Sequence, residues 1–400
     1  MVFSLPHSFA PRAIFRRPNY SVPTVCRLCL CERMSDFFDS PQGAAVLKHG
    51  VMRRYPAIFA SMTGSRAPDH RVVIADCYAG PGTYTDGTPG SPGLIAATSE
   101  ALAKIRNVHG IYVEADTDLC NELATLLKSS SHESTVLCSA IEECLDEVLN
   151  VAGTAPAFFF LDPFGIGAPF DDVVRVLNRA GPDAVPGPPT EILLNFSTHA
   201  LRRHAGHLRS QKDYPAKETI IARVDQWLGG DWWHEIAAAE AVGWMDEVLE
   251  GYLRRLRDAA GAWSWFAFEV YDREGGPVEY QLVFLTRRME GIWHFNGCLS
   301  LAQQDFRKFS TSEGQLDFEE GLNKSWEEKI EKKLETMLEK GPVQIAYQLG
   351  EILGVTDMLG LAREKHIRVA AKRLFERGLT VTNVKGMKSL FGVELRPPKK

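Results

Sequence analysis

Five short apolar segments between residues 71 and 196 constrain the fold of this chain more than any other feature of its sequence. They are RVVIADCY (71–78), GIYVE (110–114), TVLC (135–138), AFFFL (157–161) and EILLNF (191–196). Stretches with helical spacing of apolar residues separate them, at 92–104, 117–128, 141–151 and 171–180. Continuous apolar strands that alternate with amphipathic helices are typical of a parallel sheet covered on both faces. The sequence therefore predicts an α/β fold.

The segments that flank this alternation refine the prediction. One amphipathic helix is expected at 41–62, and residues 200–262 are helical with no strand signal. Two strands then follow at 264–271 and 279–286, with the turn DREGGP between them, which indicates an antiparallel hairpin. Five parallel strands closed by a late hairpin is the order of elements in a Rossmann-like class I methyltransferase sheet. A plain dinucleotide-binding domain more often has a sixth parallel strand.

The C-terminal part of the sequence forms a separate unit in this interpretation. It has three helical stretches and two strand-like stretches, at 327–340, 343–353, 360–377, 380–385 and 389–395. This order suggests a winged-helix-like domain. The predicted organisation is therefore a disordered extension over 1–33, a methyltransferase-type domain over 34–322 and a basic domain over 323–400. Met34 resembles an ordinary protein start, so the sequence leaves both Met1 and Met34 open as the start of translation.

Composition and cysteine content place the protein in a broad class. The chain has 400 residues, 45% of them hydrophobic and 24% charged, as in ordinary globular proteins. Eight cysteines are too few for a disulfide scaffold, so reduced thiols are expected. Four of them fall within predicted elements as buried apolar residues: Cys77, Cys120, Cys144 and Cys298. No apolar stretch reaches the roughly 18–20 residues that span a bilayer. A cytoplasmic protein without a membrane partner is expected.

The N-terminal run Cys26-x-x-Cys29-x-Cys31 invites a metal interpretation. Three thiolates without a visible fourth ligand do not make the usual zinc or iron–sulfur site. These cysteines are interpreted as incidental, and no metal site is predicted.

Charge is distributed unevenly along the chain. The net charge of −6 combines an acidic body with basic ends. Residues 323–400 hold 16 basic and 10 acidic residues, whereas residues 34–322 hold 24 basic and 40 acidic ones. An acidic body argues against nucleic-acid binding over the whole surface, but the basic C-terminal unit permits local contact with phosphates.

A glycine-rich turn, DCYAGPG (76–82), follows the first strand. Gly80 and Gly82 at the carboxyl end of a strand let a ligand approach the backbone closely. A dinucleotide needs a helix directly after the glycines, but here about ten residues intervene. AdoMet instead needs a glycine-rich turn beneath its carboxylate and an acid for its ammonium group, a role that suits Asp76. Tyr78 lies in the same turn and is assigned to the same cofactor site.

Two further positions fit an adenosine. Glu114 ends the second strand, where an acid accepts hydrogen bonds from both ribose hydroxyls. Ser139 follows the third strand, at the position that contacts the adenine. For Ser139 a helix capping box with Glu142 is at least as good an explanation.

The sequence FLDPFG (160–165) ends the fourth strand, at the position that faces the transferable group. Asp162 could accept a hydrogen bond or proton from an attacking amine, and Phe164 could stack on a flat substrate such as a flipped base. Nucleic-acid methyltransferases that act on amino groups have an acid or amide, two prolines and an aromatic here. This chain has one proline. A structural turn held by Asp162 and Pro163 explains the sequence equally well.

Two basic stretches are candidates for phosphate contact. After the fifth strand come Arg202 and Arg203 with several histidines, although a solvated helix face is the commoner explanation. In the last helix, basic residues on an amphipathic outer face suit a groove or a phosphate backbone. The candidate nucleic-acid contacts are Arg363, Lys365, Arg368, Lys372 and Arg373.

Together these motifs resemble the three-Cys-motif partner protein (TcmP) family of bacteria and phages. The similarity extends from about residue 37 to about 388. It depends on the early helix with Lys48 and Tyr55, DCYAGPGTY with GSP (76–92), FLDPFG, and YQLVFLT (280–286) with Gly291 beyond it. The resemblance implies a class I AdoMet-dependent methyltransferase-like fold. It also implies a neighbouring protein with a radical-SAM-like Cys motif as partner.

Three hypotheses about function follow. The first is an AdoMet-dependent methyltransferase-like enzyme that acts on or with nucleic acid through the basic C-terminal domain. The second is a non-catalytic Rossmann-like partner of the Cys-motif protein, in a mobile-element or defence system. The third is an NAD- or nucleotide-dependent enzyme, which the late helix start and the terminal hairpin disfavour.

Overall fold

A largely parallel sheet forms the centre of the protein. The computed structural model describes residues 43–128, 130–179, 187–212, 214–261, 263–273, 276–310 and 315–399. Within them the sheet strands are β1 (Arg71–Asp76), β2 (Asn107–Val113), β3 (Ser134–Leu137), β4 (Ala157–Leu161), β5 (Thr190–Phe196), β6 (Ser264–Tyr271) and β7 (Val278–Thr286). Their order is β3-β2-β1-β4-β5-β7-β6. The first five strands run parallel, and β7 is antiparallel to both β5 and β6. The predicted parallel sheet with a late antiparallel hairpin is confirmed.

Helices cover both faces of the sheet. They are α1 (Gly43–Met52), α2 (Tyr55–Thr63), α3 (Ser91–Leu102), α4 (Thr117–Lys128), α5 (Ile141–Ala152), α6 (Phe170–Leu177), α7 (Thr198–Arg209), α8 (Lys217–Leu228), α9 (His234–Ala239), α10 (Trp244–Ala260) and α11 (Met289–Ser310). Apolar residues of α1, α2, α3 and α11 pack on one face, and those of α5, α6, α8 and α10 pack on the other. This burial explains why β1, β4 and β5 are continuously apolar.

The prediction of a single helix at 41–62 is wrong, because the described part of that segment forms two helices, α1 and α2. The chain turns at Arg53 and Arg54 before α2 begins, and Pro56 lies in the first turn of α2. A proline has no N–H to donate to the carbonyl four residues earlier, and its ring disfavours helical backbone in the residue before it. Pro56 therefore ends one helix and starts the next.

The C-terminal unit departs from its predicted elements. It contains α12 (Gln315–Lys340), β8 (Val343–Gln344), α13 (Leu349–Leu353), α14 (Glu364–Glu376) and β9 (Glu394–Leu395). The predicted helix at 343–353 begins as strand β8, which pairs antiparallel with β9. The predicted strand at 380–385 is not formed. Its first residues still contact the segment at β9, since the Val381 N–H donates to the Arg396 carbonyl (2.9 Å). The Leu390 N–H and the Ser389 hydroxyl donate to the Glu364 carboxylate at the start of α14.

A winged-helix assignment for this unit stays a prediction, and so does the division into domains. The proposed boundary at 322/323 lies inside α12. Apolar side chains of α12 and α14 are continuous with the core beneath α1, α2 and α11. Residues 1–33, with Cys26, Cys29, Cys31 and the alternative start at Met34, lie outside the described residues.

The expectation that the cysteines are reduced is wrong for one pair. Cys120 of α4 and Cys138, which follows β3, form a disulfide with a Cα–Cα distance of 5.6 Å. Helix α4 and the strand that follows it in the chain, β3, bring these two cysteines together, which their spacing in the sequence does not reveal. Cys77, Cys144 and Cys298 are free and buried, as predicted.

A buried carboxyl group lies at the amino end of β5, far from the ends of the parallel strands that meet at the opposite edge. Glu191 is 5% exposed and accepts hydrogen bonds from the Tyr55 hydroxyl (2.7 Å) and the Thr286 hydroxyl (2.8 Å). A Cβ on Gly291 would lie 2.6 Å from its Oε1, so glycine is required there. Burial raises the pKa of Glu191 to about 7, although both hydroxyl donors lower it. Three residues that carry the family resemblance thus surround one acid.

We predict that Glu191→Gln changes the pH dependence of stability. The folded pKa lies above the unfolded value near 4.5, so the wild type loses stability as pH rises from about 4.5 through 7. The variant lacks this titration. It should match the wild type near pH 5 and exceed it by up to about 3 kcal/mol near pH 8. Urea unfolding at both pH values measures this difference, and parallel pH profiles for the two proteins would contradict it.

Candidate functional site

The carboxyl ends of β1, β2, β4 and β5 meet at one edge of the sheet, called the carboxyl edge below. Asp76 at the end of β1 lies opposite Tyr112 of β2 and Phe160 of β4. The Cys77 N–H donates to the Phe160 carbonyl (3.0 Å), and the Ala79 N–H donates to the Val113 carbonyl (2.9 Å). These bonds fix the path of the glycine-rich turn above the strand ends.

The turn depends on its glycines. Gly80 and Gly82 have φ of 63° and 84°, in the left-handed region. A Cβ on Gly82 would lie 2.8 Å from Leu126 and 2.9 Å from Leu123 on α4. Glycine is therefore needed both for the backbone conformation and for the close approach of the turn to this helix.

Asp76 is fully buried at the carboxyl edge. Its Oδ1 accepts a weak hydrogen bond from the Tyr78 N–H (3.4 Å), and its Oδ2 has no hydrogen-bond partner within the described residues. Burial raises the pKa of Asp76 to about 7, while the Ser91 hydroxyl lowers it and the nearby Asp162 carboxylate raises it. A buried acceptor without a donor is costly, so this oxygen suits a ligand that brings a donor.

Glu114 follows β2 and holds the glycine-rich turn. Its Oε2 accepts from the Gly80 N–H (2.7 Å), and its Oε1 accepts from the Asp116 N–H (2.8 Å). Each carboxylate oxygen has a second lone pair, so Glu114 retains capacity for hydroxyl donors. The predicted proximity of this acid to the glycines is present, and its role toward a ribose stays a prediction.

The side chains of two other predicted cofactor residues make their contacts elsewhere, and the role of both residues toward a cofactor stays a prediction. Tyr78 packs with the core on the opposite face of the sheet, where burial, followed by Glu142, raises its pKa. Ser139 donates to the Glu143 carboxylate (2.9 Å), and Ala140 is the N-cap of α5. The alternative capping box between Ser139 and Glu142 is therefore wrong, because the helix begins one residue later than that motif requires.

Asp162 forms a buried ion pair with Lys48 of α1. The side chain of Lys48 is 12% exposed, and that of Asp162 is 14% exposed. Burial lowers the pKa of Lys48, but the Asp162 carboxylate, with Tyr280 and Tyr84, outweighs it and raises that pKa overall. The Asn195 amide donates to Asp162 Oδ1 (2.9 Å), and its own Oδ1 has no partner among the described residues. The pair therefore consists of an ammonium group and a carboxylate.

A neutral histidine borders this pair. His49 is 6% exposed, and its ring lies 5.6 Å from that of Tyr84. Burial, followed by the charge of Lys48, lowers the pKa of His49 to about 3. The environment thus keeps one positive charge, on Lys48, beside two carboxyl groups, those of Asp162 and Asp76.

Sequence analysis found Asp162 but not the two side chains that bind it. The sequence indicated Lys48 only through the family resemblance. It indicated Asn195 only as part of the fifth strand. Asn195 is the next-to-last residue of β5, after the apolar run 192–194, and this polar position at the carboxyl edge was the available signal. Lys48 lies on an amphipathic helix whose docking the sequence does not specify.

Phe164 lies at the rim rather than inside the site. It is 68% exposed, two residues beyond Asp162. The next residue, Gly165, has φ of 90°, and a Cβ built there would lie 3.8 Å from a guanidinium nitrogen of Arg203. The turn after β4 therefore presents an aromatic ring close to α7.

The predicted nucleic-acid contacts on the last helix, α14, differ in whether their positive charges are already paired with acidic side chains. Arg368 forms an ion pair with Glu364, and Arg373 forms ion pairs with Glu327 (2.9 Å) and Glu331 (3.7 Å). Lys365 and Lys372 are exposed, and Arg363 is half-buried. Contact of these residues with nucleic acid stays a prediction.

No group of His, Cys, Asp and Glu side chains in the described parts of the chain is arranged to hold a metal ion. Likewise, none of the described helices combines the length and the apolar character needed to cross a membrane.

Comparison with known proteins gives weak similarities only. No protein-family model matches the sequence, and no curated protein does. Among solved structures, the chain is similar to a "putative O-methyltransferase" from Klebsiella pneumoniae, with 12% identity and a TM-score of 0.28 over 60% of this chain and 89% of that chain. It is also similar to the cyclopropane synthase MmaA2 from Mycobacterium tuberculosis, with 12% identity and a TM-score of 0.24 over 57% of this chain and 81% of that chain. Scores this low carry no argument about function, and the TcmP resemblance stays a prediction.

We predict that Lys48→Met lowers the free energy of unfolding by about 3 kcal/mol, because it leaves the Asp162 carboxylate buried without its charge partner. The double variant Lys48→Met/Asp162→Asn should recover most of this loss, since it removes both charges. Chemical denaturation of both variants measures the effect. Lys104→Met, at an exposed position on the surface, is the control and should change stability by less than about 0.5 kcal/mol. Equal stability of Lys48→Met and the control would contradict the interpretation.

Proposed function

We propose that this chain binds AdoMet at the carboxyl edge and is a methyltransferase-like protein that acts on or with nucleic acid. One observation carries the cofactor assignment. Within the described residues Asp76 Oδ2 is buried without a hydrogen-bond donor, at the start of a turn whose Gly80 and Gly82 have left-handed backbone. An ammonium group is the donor that best satisfies a buried carboxylate. The resemblance to the TcmP family supports the same assignment.

The side chains at this edge fit the parts of AdoMet. Asp76 would bind the methionine ammonium, the backbone of Gly80 and Gly82 would lie beneath the methionine carboxylate, and Glu114 would accept from the ribose hydroxyls. When bound, AdoMet supplies an electrophilic methyl group on its sulfonium. A dinucleotide fits the sequence less well, because α3 begins at Ser91, well after the glycines, whereas a dinucleotide turn leads directly into its helix. In space the N-cap of α3 does lie against the turn, since the Gly90 N–H donates to the Gly82 carbonyl (2.9 Å).

The acceptor side of the proposed site contains Asp162, Asn195 and Phe164. The Asp162 carboxylate and the free Asn195 Oδ1 are both hydrogen-bond acceptors, so they suit an acceptor substrate that brings N–H or O–H groups. Lys48 pairs with Asp162 and fixes its position. In this arrangement the chain contributes mainly by orienting the substrate, and the exposed Phe164 ring offers a surface for a flat group.

A second candidate function follows from the same ion pair. The Asp162 carboxylate already accepts hydrogen bonds from the Lys48 ammonium and the Asn195 amide, so two of its contacts are occupied by the protein itself. This favours the alternative of a non-catalytic Rossmann-like partner, which binds AdoMet or a Cys-motif protein without methyl transfer. Incubation with methyl-labelled AdoMet and nucleic acid separates the two functions. Labelled product supports the enzyme, and cofactor binding without labelled product on DNA or RNA supports the partner.

Isothermal titration with AdoMet tests the proposed cofactor. Asp76→Asn and Glu114→Ala should each weaken binding about tenfold or more, because each removes charge-assisted hydrogen bonds. Glu100→Ala, on the exposed side of α3, is the matched control and should bind as the wild type does. Absence of AdoMet binding by the wild type, or undiminished binding by both site variants, would overturn the assignment.

The pH dependence of this binding is a separate prediction. Burial raises the pKa of Asp76 to about 7 in the free protein, and only the ionised carboxylate attracts an ammonium group. The wild-type Kd should therefore rise about tenfold for each pH unit below 7. Asp76→Asn has no titrating group there, so its Kd should change little between pH 7 and 5.5. Identical pH profiles of the two proteins would count against Asp76 as the ammonium site.

A further inference from the structure

The surface next to Phe164 carries positive charges that the fold leaves unneutralised. Helix α7 has the sequence THALRRHAGHLR and contains no acidic residue. Arg202 and Arg203 on α7 and Arg223 on α8 are exposed, and none of the three has an ion pair with an acid among the described residues. Glu218, the exposed acid on α8, lies five positions before Arg223 and forms no ion pair with it in the described structure. The three arginines are called the α7–α8 basic face below.

Two of these arginines, Arg203 and Arg223, lie near one buried histidine, and Arg202 precedes Arg203 on α7. His204 is buried between the helices, and Arg203 donates to its Nε2 (3.2 Å). Burial lowers the pKa of His204 to about 4, and the next largest contributions come from Arg203, His207 and Arg223. All three groups are therefore close to the same imidazole. Because its pKa is about 4, the His204 imidazole is uncharged near pH 7. It can therefore be buried without an acidic partner.

The basic face adjoins the proposed acceptor site. A guanidinium nitrogen of Arg203 lies 3.8 Å from the position of a Cβ on Gly165, which directly follows the exposed Phe164 ring. Asp162 is only three residues before Gly165, so the chain between them spans at most about 10 Å. The exposed Phe164 ring and the Arg203 guanidinium thus lie beside the entrance to the carboxyl edge, and Arg203 connects the basic face to it.

The last helix provides an internal comparison. Arg368 pairs with Glu364, Arg373 with Glu327 and Glu331, and Arg377 with Glu331 and Glu335. The arginines on the outer face of α14 thus mainly neutralise acids of its own first turn and of α12. An arginine that already binds a carboxylate gains less from a phosphate than an unpaired one does, because the first contact has to be given up.

We propose that the α7–α8 basic face, together with Phe164, is the docking surface for a single-stranded nucleic acid. The inference rests on the proposed function, and it moves the main nucleic-acid contact from the C-terminal unit to the rim of the carboxyl edge. The arginines contact consecutive phosphates, and Phe164 stacks on a base beside Asp162. Positive charge along a strand combined with an aromatic platform is the chemistry that binds single strands without sequence preference. A duplex keeps its bases stacked on one another and offers Phe164 no free face.

Fluorescence anisotropy with a labelled 12-nucleotide oligomer tests the docking surface. Single-stranded DNA, single-stranded RNA and a DNA duplex are compared at 50 and 200 mM salt. The wild type should prefer a single strand, and the two single-stranded probes decide between DNA and RNA. Arg202→Glu/Arg203→Glu should weaken binding at least tenfold and make the dependence of affinity on salt shallower, because fewer counterions are released. The matched control is Lys365→Glu/Lys372→Glu, which changes the net charge equally on the exposed side of α14 and should weaken binding less than threefold.

A separate variant tests whether Phe164 stacks on a base. Phe164→Ala should weaken binding of the ordinary oligomer about tenfold, because one stacked base is lost. It should leave binding of an abasic oligomer of equal length unchanged, since that probe offers phosphates only. Equal effects on both probes would show that Phe164 does not stack on a base.

AdoMet titration of the same preparations keeps the two proposals distinguishable. Arg202→Glu/Arg203→Glu should bind AdoMet as the wild type does, which also shows that it is folded. If this variant does not fold, Arg223→Glu with the same control decides. A larger loss in the α14 variant than in the α7 variant, tighter binding of the duplex, or no oligomer binding by an AdoMet-competent wild type would overturn the docking surface. Oligomer binding through α7 without AdoMet binding would instead overturn the proposed function.

Discussion

Both faces of a parallel sheet are buried under helices rather than exposed to water, and this constraint organises the whole molecule. Each crossover between parallel strands places a helix on one face, so both faces become buried and the strands become continuously apolar. On one face α1, α2, α3 and α11 provide the cover, and α12 and α14 extend the same apolar core. On the other face the helices between β4 and β6 provide it. Polar chemistry is consequently confined to the strand ends.

The two ends of the strands use ionisable groups in different ways. At the amino end of β5, Glu191 is satisfied by two hydroxyl groups, and a glycine leaves space for it. At the carboxyl edge, Asp76 and Asn195 each keep a buried oxygen that has no partner in the described part of the chain. Saturated hydrogen bonding marks the first group as structural. Unsatisfied acceptors in a buried position are what a ligand site would leave before binding.

Charge pairing, rather than charge count, distinguishes the basic surfaces. The C-terminal unit is basic by composition, yet Arg368, Arg373 and Arg377 are engaged with glutamates of α12 and α14. The body is acidic by composition, yet Arg202 and Arg203 of α7 have no acidic partner among the described residues, and only Arg209 at its end pairs with Glu240. A net charge summed over a segment therefore does not locate the surface that meets a polyanion, because short-range pairs cancel most of the field.

Between residues 71 and 286 the sequence by itself determined the order of strands and helices, the antiparallel hairpin, the glycine-rich turn and the placement of Asp76, Glu114 and Asp162 at strand ends. These features follow from local periodicity and from the rule that the carboxyl ends of parallel strands share an edge. Only the tertiary structure decided which groups meet. Lys48 reaches Asp162 across 114 positions, Tyr55 reaches Glu191 across 136, and Cys120 joins Cys138. Such pairings depend on how helices dock on the sheet, and docking is set by the shape of the whole core rather than by the residues near either partner.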